Sequence, residues 1–172
     1  MSLACGIDVG GTKIAGGVVD EHGTILEELR VESPATDAEA IEEAIAGLVT
    51  ELRSRHAIET VGVGAAGYVD KERAVVLFAP NVAWRNEDLK GELEKRIELP
   101  VVIENDANAA AWGEFVYGAG HDVDDLLLVT VGTGVAISPA AAWISADAAV
   151  ASWVRTSGLA WRSTCTVLQI GQ

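Results

Sequence analysis

The sequence predicts an α/β domain with a mixed sheet. Two apolar, β-branched runs at residues 3–9 and 13–20 are joined by a Gly-Gly turn, and a third run follows the turn at residues 21–23. These three runs predict a β-β-β meander. Beyond residue 37 apolar residues recur at three- and four-residue spacing, and strands then alternate with helices. A meander followed by such alternation is typical of a mixed sheet with packed helices.

The remaining elements follow in chain order. The third strand covers TILEELRVE, and an amphipathic helix is expected from an N-cap at Asp37 to near His56. Later elements are a buried strand over 60–67, a polar-faced helix over 86–97, a strand over 100–105, a helix over 106–120 and a strand over 124–134.

Composition favours a small-molecule partner. The formal charge of −14 argues against nucleic acid, because nucleic-acid binders usually present a basic face. Cys5 and Cys165 lie far apart, outside any CxxC pair, so we expect two free thiols and no zinc site. The N-terminus lacks a basic region before an apolar segment, and Pro139 and Asp147 interrupt the apolar tail. We therefore expect a cytoplasmic protein without a membrane span.

The turn DVGGTK has the composition of a phosphate-binding loop. Gly10 and Gly11 let backbone N–H groups approach an anion and adopt positive φ, while Thr12 adds a hydroxyl and Lys13 a positive charge. Asp8, at the strand end, could hold a magnesium ion through water. A strand pattern follows the turn, which excludes a Walker loop and a dinucleotide loop. On these residues alone, a plain hairpin is an equal alternative.

A second candidate site lies in ENDANAAAWGE. Asp106 falls where a strand gives way to a helix, so the helix dipole is expected to favour its ionised form. An ionised, partly enclosed carboxylate there can act as a general base toward a hydroxyl. Asn105 and Asn108 can donate and accept hydrogen bonds, as a polyhydroxylated ligand requires. Taken alone, the segment fits equally well with Asp106 as a helix cap.

A second glycine turn comes after the strand LLLVTV. It consists of Gly132, Thr133 and Gly134. Two strand-turn phosphate loops suggest paired domains closing on a nucleotide. We place the first domain at residues 1–120 and the start of a nucleotide-side domain at 121–135, with HDVDD as the boundary.

Taken in order, DVGGTK, GVGAAG, APNVAW, ENDANAAAWGE and VGTGV resemble the ROK family of bacterial sugar kinases over residues 3–135, and most closely its glucokinases. The resemblance implies the actin/Hsp70/hexokinase-like, or ribonuclease H-like, fold. It also implies transfer of the γ-phosphoryl group of ATP, bound with Mg2+, to the 6-hydroxyl of glucose. Members are usually dimers or tetramers, so a homodimer is a further implication.

The family's functional residues carry over to this sequence. Asp106 matches the catalytic base and Asn105 a sugar ligand, and Ala66 stands where many members have proline. The loops around the sugar are matched by Gly64, Ala65, Gly67 and Asn81, the first phosphate loop by Asp8, Gly10, Gly11, Thr12 and Lys13, and the second by Gly132, Thr133 and Gly134.

Residues 136–172 depart from the family pattern. They lack the Gly-Glu-x-Gly-His segment and the zinc motif with which members continue. We interpret them as a divergent second domain or, preferably, as the product of a shifted reading frame, which would leave the second domain truncated.

Several alternatives to an active glucokinase remain at this stage. The chain could be a catalytically dead sugar-binding remnant, a kinase for fructose, mannose or N-acetylmannosamine, or an enzyme that uses polyphosphate instead of ATP. A ROK transcriptional regulator would carry a helix-turn-helix module ahead of the sugar domain. Only seven residues precede Asp8, which disfavours a regulator.

Overall fold

The computed structural model describes residues 2–118, 120–131, 135–141 and 165–168. In chain order the elements are β1 (Leu3–Val9), β2 (Lys13–Val19), β3 (Ile25–Glu32), α1 (Ala38–Arg53), β4 (Ile58–Ala65), β5 (Tyr68–Val69), β6 (Val76–Phe78), β7 (Arg85–Glu87), α2 (Leu89–Ile97), β8 (Val101–Asn105), α3 (Asp106–Tyr117), β9 (Asp125–Val131), β10 (Val135–Ala141) and β11 (Cys165–Leu168).

The main sheet has five strands in the order β3-β2-β1-β4-β8. Strands β1, β2 and β3 pair antiparallel, which confirms the predicted meander. Strands β1 and β4, and then β4 and β8, pair in parallel. Parallel neighbours need a long crossover connection, and α1 and α2 lie in these connections. The predicted mixed α/β sheet is therefore confirmed.

Helix α1 begins as the sequence predicts and ends earlier. The Asp37 side chain accepts a hydrogen bond from the Ala40 N–H at 3.2 Å, which confirms the N-cap. The helix ends at Arg53, and His56 lies beyond it with Nε2 2.7 Å from Oε2 of Glu27 in β3. The buried face of the helix includes Ile41, Ile45, Leu48, Val49 and Leu52.

The predicted helix over residues 86–97 is wrong at its start. It begins at Leu89, because the Asp88 carboxylate accepts a hydrogen bond from the Gly91 N–H at 3.1 Å and caps the helix there. Residues Arg85–Glu87 instead form β7 of a small antiparallel sheet in the order β5-β6-β7. The sequence analysis missed this sheet, whose strands are two or three residues long.

The described residues form two apolar clusters. The larger cluster packs the main sheet against α1 and α2 and includes Cys5, a buried free thiol. The smaller one joins α3 to β9 through Trp112, Leu126 and Leu128. Strand β9 belongs to a second antiparallel sheet in the order β10-β9-β11. Within the described residues, no helix is long and apolar enough to cross a membrane.

Helix α1 sits directly on the backbone of β2, and this contact generates a stability prediction. A Cβ on Gly16 would overlap Cδ2 of Leu48 and lie 2.9 Å from Cδ1 of Ile7. Forcing atoms into a packed core costs about 1–3 kcal/mol, so we expect Gly16→Ala to lower the free energy of unfolding by that amount in urea denaturation.

The matched control is Gly47→Ala on the exposed face of α1. A Cβ there has nothing within 4 Å. Replacing glycine by alanine in a helix should raise the free energy of unfolding by about 0.5–1 kcal/mol. Equal effects from the two substitutions would contradict the tight packing of α1 on β2.

Candidate functional site

The carboxyl ends of three parallel strands bring the predicted site residues together. The register aligns Asp8 of β1 with Gly64 of β4, and Gly64 with Glu104 of β8. Helix α3 follows β8 without a loop and begins at Asp106. Asp8 and Asp106 therefore lie at the same edge of the sheet, which is where ligands bind in open α/β sheets.

Asp106 is close enough to Asp8 to influence its ionisation. Burial raises the pKa of Asp8 to about 6, and the negative charge of Asp106 adds to this rise. Burial also raises the pKa of Asp106, against the lowering effect of the Ala107 N–H, which lies 2.9 Å from Oδ1. The N–H groups at the start of the helix favour ionised Asp106, as expected, but desolvation outweighs them and the pKa is raised overall.

Asn105, rather than Asp106, caps α3. Its Oδ1 accepts hydrogen bonds from the N–H groups of Ala107 at 3.0 Å and Asn108 at 3.1 Å. Its Nδ2 donates to the carbonyl of Gly67 at 2.9 Å. The alternative of Asp106 as a helix cap is therefore wrong. Among the described residues, these contacts use both lone pairs of Oδ1 and one hydrogen of Nδ2. The second hydrogen of Nδ2 is therefore the part of the Asn105 amide that could bind a sugar.

Glu104 contacts Asn105, Asn108 and Arg73 beside the site, and the sequence analysis missed it. Its Oε1 accepts hydrogen bonds from the Asn105 N–H at 2.8 Å and from Nδ2 of Asn108 at 3.1 Å, and its Oε2 lies 3.2 Å from Nε of Arg73. Oδ1 of Asn108 accepts a hydrogen bond from the Ser138 hydroxyl at 2.6 Å. Asn108 thus makes structural contacts at both ends of its amide. The sequence signal that could have identified Glu104 is a charged residue at the end of a buried strand.

The first predicted phosphate loop is a tight turn between β1 and β2. The Gly10 N–H donates to the carbonyl of Lys13 at 3.0 Å, and the side chains of Thr12 and Lys13 are exposed. The expected positive φ at Gly10 and Gly11 is wrong, since neither adopts it. The need for glycine is space, because a Cβ on Gly11 would lie 3.1 Å from the carbonyl oxygen of Asn81.

The two predicted sugar-side loops pack against each other. A Cβ on Gly67 would lie 2.5 Å from the carbonyl oxygen of Phe78 and 3.0 Å from Cα of Ala79. The Gly67 N–H donates to the carbonyl of Ala65 at 2.7 Å, which turns the chain sharply after β4. The second phosphate loop, Gly132, Thr133 and Gly134, lies outside the described residues.

Asp8 and Asp106 fit a magnesium ion that takes most of its coordinating atoms from water and from the phosphates of a bound ligand. Among the described residues, no group of three His, Cys, Asp or Glu side chains could hold a metal. Mg2+ usually takes one or two carboxylates and fills its remaining positions with water and phosphate oxygens. Asp8, near the end of the strand that leads into the first predicted phosphate loop, supplies the kind of donor that this arrangement needs.

The raised pKa of Asp8 predicts a pH-dependent gain in stability for Asp8→Asn. The folded-state pKa of about 6 exceeds the ordinary value of 3.8, so the folded state loses stability as pH rises through this interval. We expect the substitution to raise the free energy of unfolding by up to about 3 kcal/mol at pH 8, and by less at pH 5. Urea denaturation at both pH values measures this difference.

Asp70→Asn is the control, for which we expect a change of opposite sign in the free energy of unfolding. Backbone hydrogen bonds, first that from Ala74, lower the pKa of Asp70, so its carboxylate contributes stability at neutral pH. We expect Asp70→Asn to destabilise the protein at pH 8. A gain for Asp8→Asn that does not change between pH 5 and pH 8 would refute the electrostatic explanation.

Comparisons with known proteins agree with the fold. A model of the ROK family matches residues 4–140. The chain is 54% identical over 135 residues to a glucokinase of Streptomyces coelicolor, in a match that covers 78% of this chain and 42% of the glucokinase. It is 36% identical over 137 residues to a xylose repressor of Bacillus subtilis, covering 77% of this chain and 35% of the repressor.

Solved structures give the same result. A ROK family glucokinase from Streptomyces griseus, crystallised with glucose and AMPPNP, superposes with a TM-score of 0.75 at 56% identity and covers 79% of this chain and 43% of that one. An inorganic polyphosphate/ATP-glucomannokinase from Arthrobacter gives a TM-score of 0.72 at 39% identity, covering 80% and 57%. The chain thus spans well under half the length of the curated glucokinases it matches. The fold is actin/hexokinase-like, and the chain belongs to the ROK family.

Proposed function

We propose that this chain is a glucokinase, or the sugar-side part of one, that transfers the γ-phosphoryl group of ATP to the 6-hydroxyl of glucose. The observation that carries the proposal is the placement of Asp106 at the carboxyl edge of the sheet, with the capping task taken over by Asn105. Its similarity to the Streptomyces glucokinases supports glucose as the sugar and ATP as the donor.

Asp106 acts as the general base in this proposal. The Ala107 N–H occupies Oδ1, so we assign Oδ2 to the sugar hydroxyl. The hydroxyl proton moves to the carboxylate, the oxygen forms a bond to the γ-phosphorus, and the bond from phosphorus to the bridging oxygen breaks to release ADP. Burial raises the pKa of Asp106, which makes the ionised carboxylate a stronger base than an exposed aspartate.

The remaining residues position the two substrates. Asn105, Asn81 and the loop at Gly64, Ala65 and Gly67 bind the sugar, and residues 10–13 and 132–134 bind phosphate. Asp8 would hold the magnesium ion through water. The ion, when bound, neutralises charge on the phosphates, and catalysis otherwise depends on positioning. A cytoplasmic location and a homodimer remain predictions from composition and resemblance.

A second candidate function is sugar binding without phosphoryl transfer. It is favoured by the similarity to the xylose repressor, whose name describes a regulator. Other sugars and donors are supported by the glucomannokinase, which is named for both polyphosphate and ATP, and by a putative fructokinase of Bacillus subtilis at 31% identity. Turnover separates the first candidate from the second.

Asp106→Asn tests the assignment of the base. We expect the purified chain to form glucose 6-phosphate from glucose and MgATP, and the variant to lose about 100- to 10,000-fold in kcat, the usual contribution of a general base. The glucose dissociation constant, measured by calorimetry, should change only a few-fold, because the amide keeps the size of the carboxylate.

The control is Asp122→Asn, which alters an acidic side chain with 91% exposure and should leave turnover unchanged. Retained turnover in Asp106→Asn would show that another group takes the proton. Glucose binding by the unaltered chain without any turnover would favour the sugar-binding function.

A further inference from the structure

One guanidinium nitrogen of Arg85 binds three backbone carbonyls of a single turn. Its Nη1 lies 2.6 Å from the oxygen of Ala79, 3.0 Å from that of Val82 and 2.6 Å from that of Trp84. Nη1 carries two hydrogens, so at least one of them is shared between two acceptors. Because the donor is charged, these hydrogen bonds are stronger than those between neutral groups.

The Arg85 side chain is also held by an aromatic ring. Its guanidinium carbon lies 4.2 Å from the centroid of the Phe78 ring, and Arg85 and Phe78 face each other in the β6–β7 pair. The Ala79 N–H also donates to the carbonyl of Trp84 at 3.3 Å. Residues 79–84 are therefore closed by one backbone hydrogen bond and by the arginine, which is held against an aromatic ring.

This turn contacts both loops of the candidate site. The Asn81 carbonyl lies against Gly11 of the first phosphate loop, at 3.1 Å from the position of a Cβ there. Cα of Ala79 lies 3.0 Å from the corresponding position on Gly67, whose carbonyl is held by Asn105. The side chains of Val82 and Trp84 are buried in the core and hold the turn against it. Asn81 stands at its exposed part.

We propose that Arg85 is a positioning residue that fixes residues 79–84 so that Asn81 can bind the sugar while its backbone supports the phosphate loop at Gly11. The assignment of the sugar rests on the proposed function, whereas the ordering of the turn does not. The hydrogen bonds of Arg85 go to carbonyl groups of the turn and its guanidinium lies over the Phe78 ring, so Arg85 acts by holding the backbone from which Asn81 projects.

Methionine and lysine variants separate the contributions of this side chain. Arg85→Met keeps the length of the aliphatic stem and removes every donor. Arg85→Lys keeps the charge, but its nitrogen falls about one bond short and it loses the planar contact with Phe78. Arg30→Met is the matched control, since Arg30 lies on β3 and is ion-paired with Glu28.

Glucose affinity, measured by calorimetry, gives the first readout. We expect Arg85→Met to weaken glucose binding roughly tenfold, the effect of losing hydrogen bonds to a charged group, Arg85→Lys to fall between it and the unaltered chain, and Arg30→Met to change binding less than twofold. In a background of Asn81→Ala, Arg85→Met should cause no further loss, because the two residues act as one unit. Additive losses, or unchanged affinity in Arg85→Met, would overturn the proposal.

Amide hydrogen exchange gives a second readout that does not depend on glucose. We expect Arg85→Met to speed exchange at Ala79, whose N–H closes the turn, with exchange in α1 and α3 unchanged. Faster exchange throughout the chain would indicate a general structural role and overturn the proposal, as would unchanged exchange in the turn. If the unaltered chain binds no glucose, the proposed sugar fails, and exchange alone decides whether Arg85 orders the turn.

Discussion

The side chain of Asn105 is the contact on which the candidate site depends. It accepts hydrogen bonds from two N–H groups at the start of α3 and donates one to the carbonyl of Gly67, so it joins strand, helix and sugar-side loop. Aspartate would serve the helix equally well but could not donate to Gly67. Asn105 is the N-cap of the helix, whereas, among the described residues, the adjacent Asp106 accepts the Ala107 N–H through Oδ1 alone and takes no part in holding the sugar-side loop.

The site also concentrates negative charge in a place that disfavours it. Asp8 and Asp106 are both partly buried, and desolvation raises the pKa of each. The folded protein thus keeps two carboxylates where neutral side chains would be more stable. Such a cost is typical of functional sites, where the local arrangement serves a ligand rather than the fold. A bound cation near Asp8 would lower this cost.

The sequence predicts most of the main sheet because its signals are local. The meander, the Asp37 cap and the β8–α3 junction each depend on periodicity or capping residues within a short segment. The small sheet β5-β6-β7 was missed because strands of two or three residues show no periodicity. The role of Glu104 was missed for another reason, since its partner Arg73 is distant in sequence. The sequence likewise could not show whether Asn105 or Asp106 caps α3, because this depends on hydrogen bonds that form only with the folded backbone.

Asp8 has a consequence beyond ligand binding, because it lies between two buried residues of β1. Ile7 and Val9 are 2% and 0% exposed, and side chains alternate between the two faces of a strand. A slip of one residue between β1 and its neighbours would turn the carboxylate to the face that these apolar side chains now occupy, and would turn them away from it. The charge of Asp8 therefore penalises misaligned forms of the sheet, so this acid contributes to folding fidelity in addition to the role proposed for it in the site.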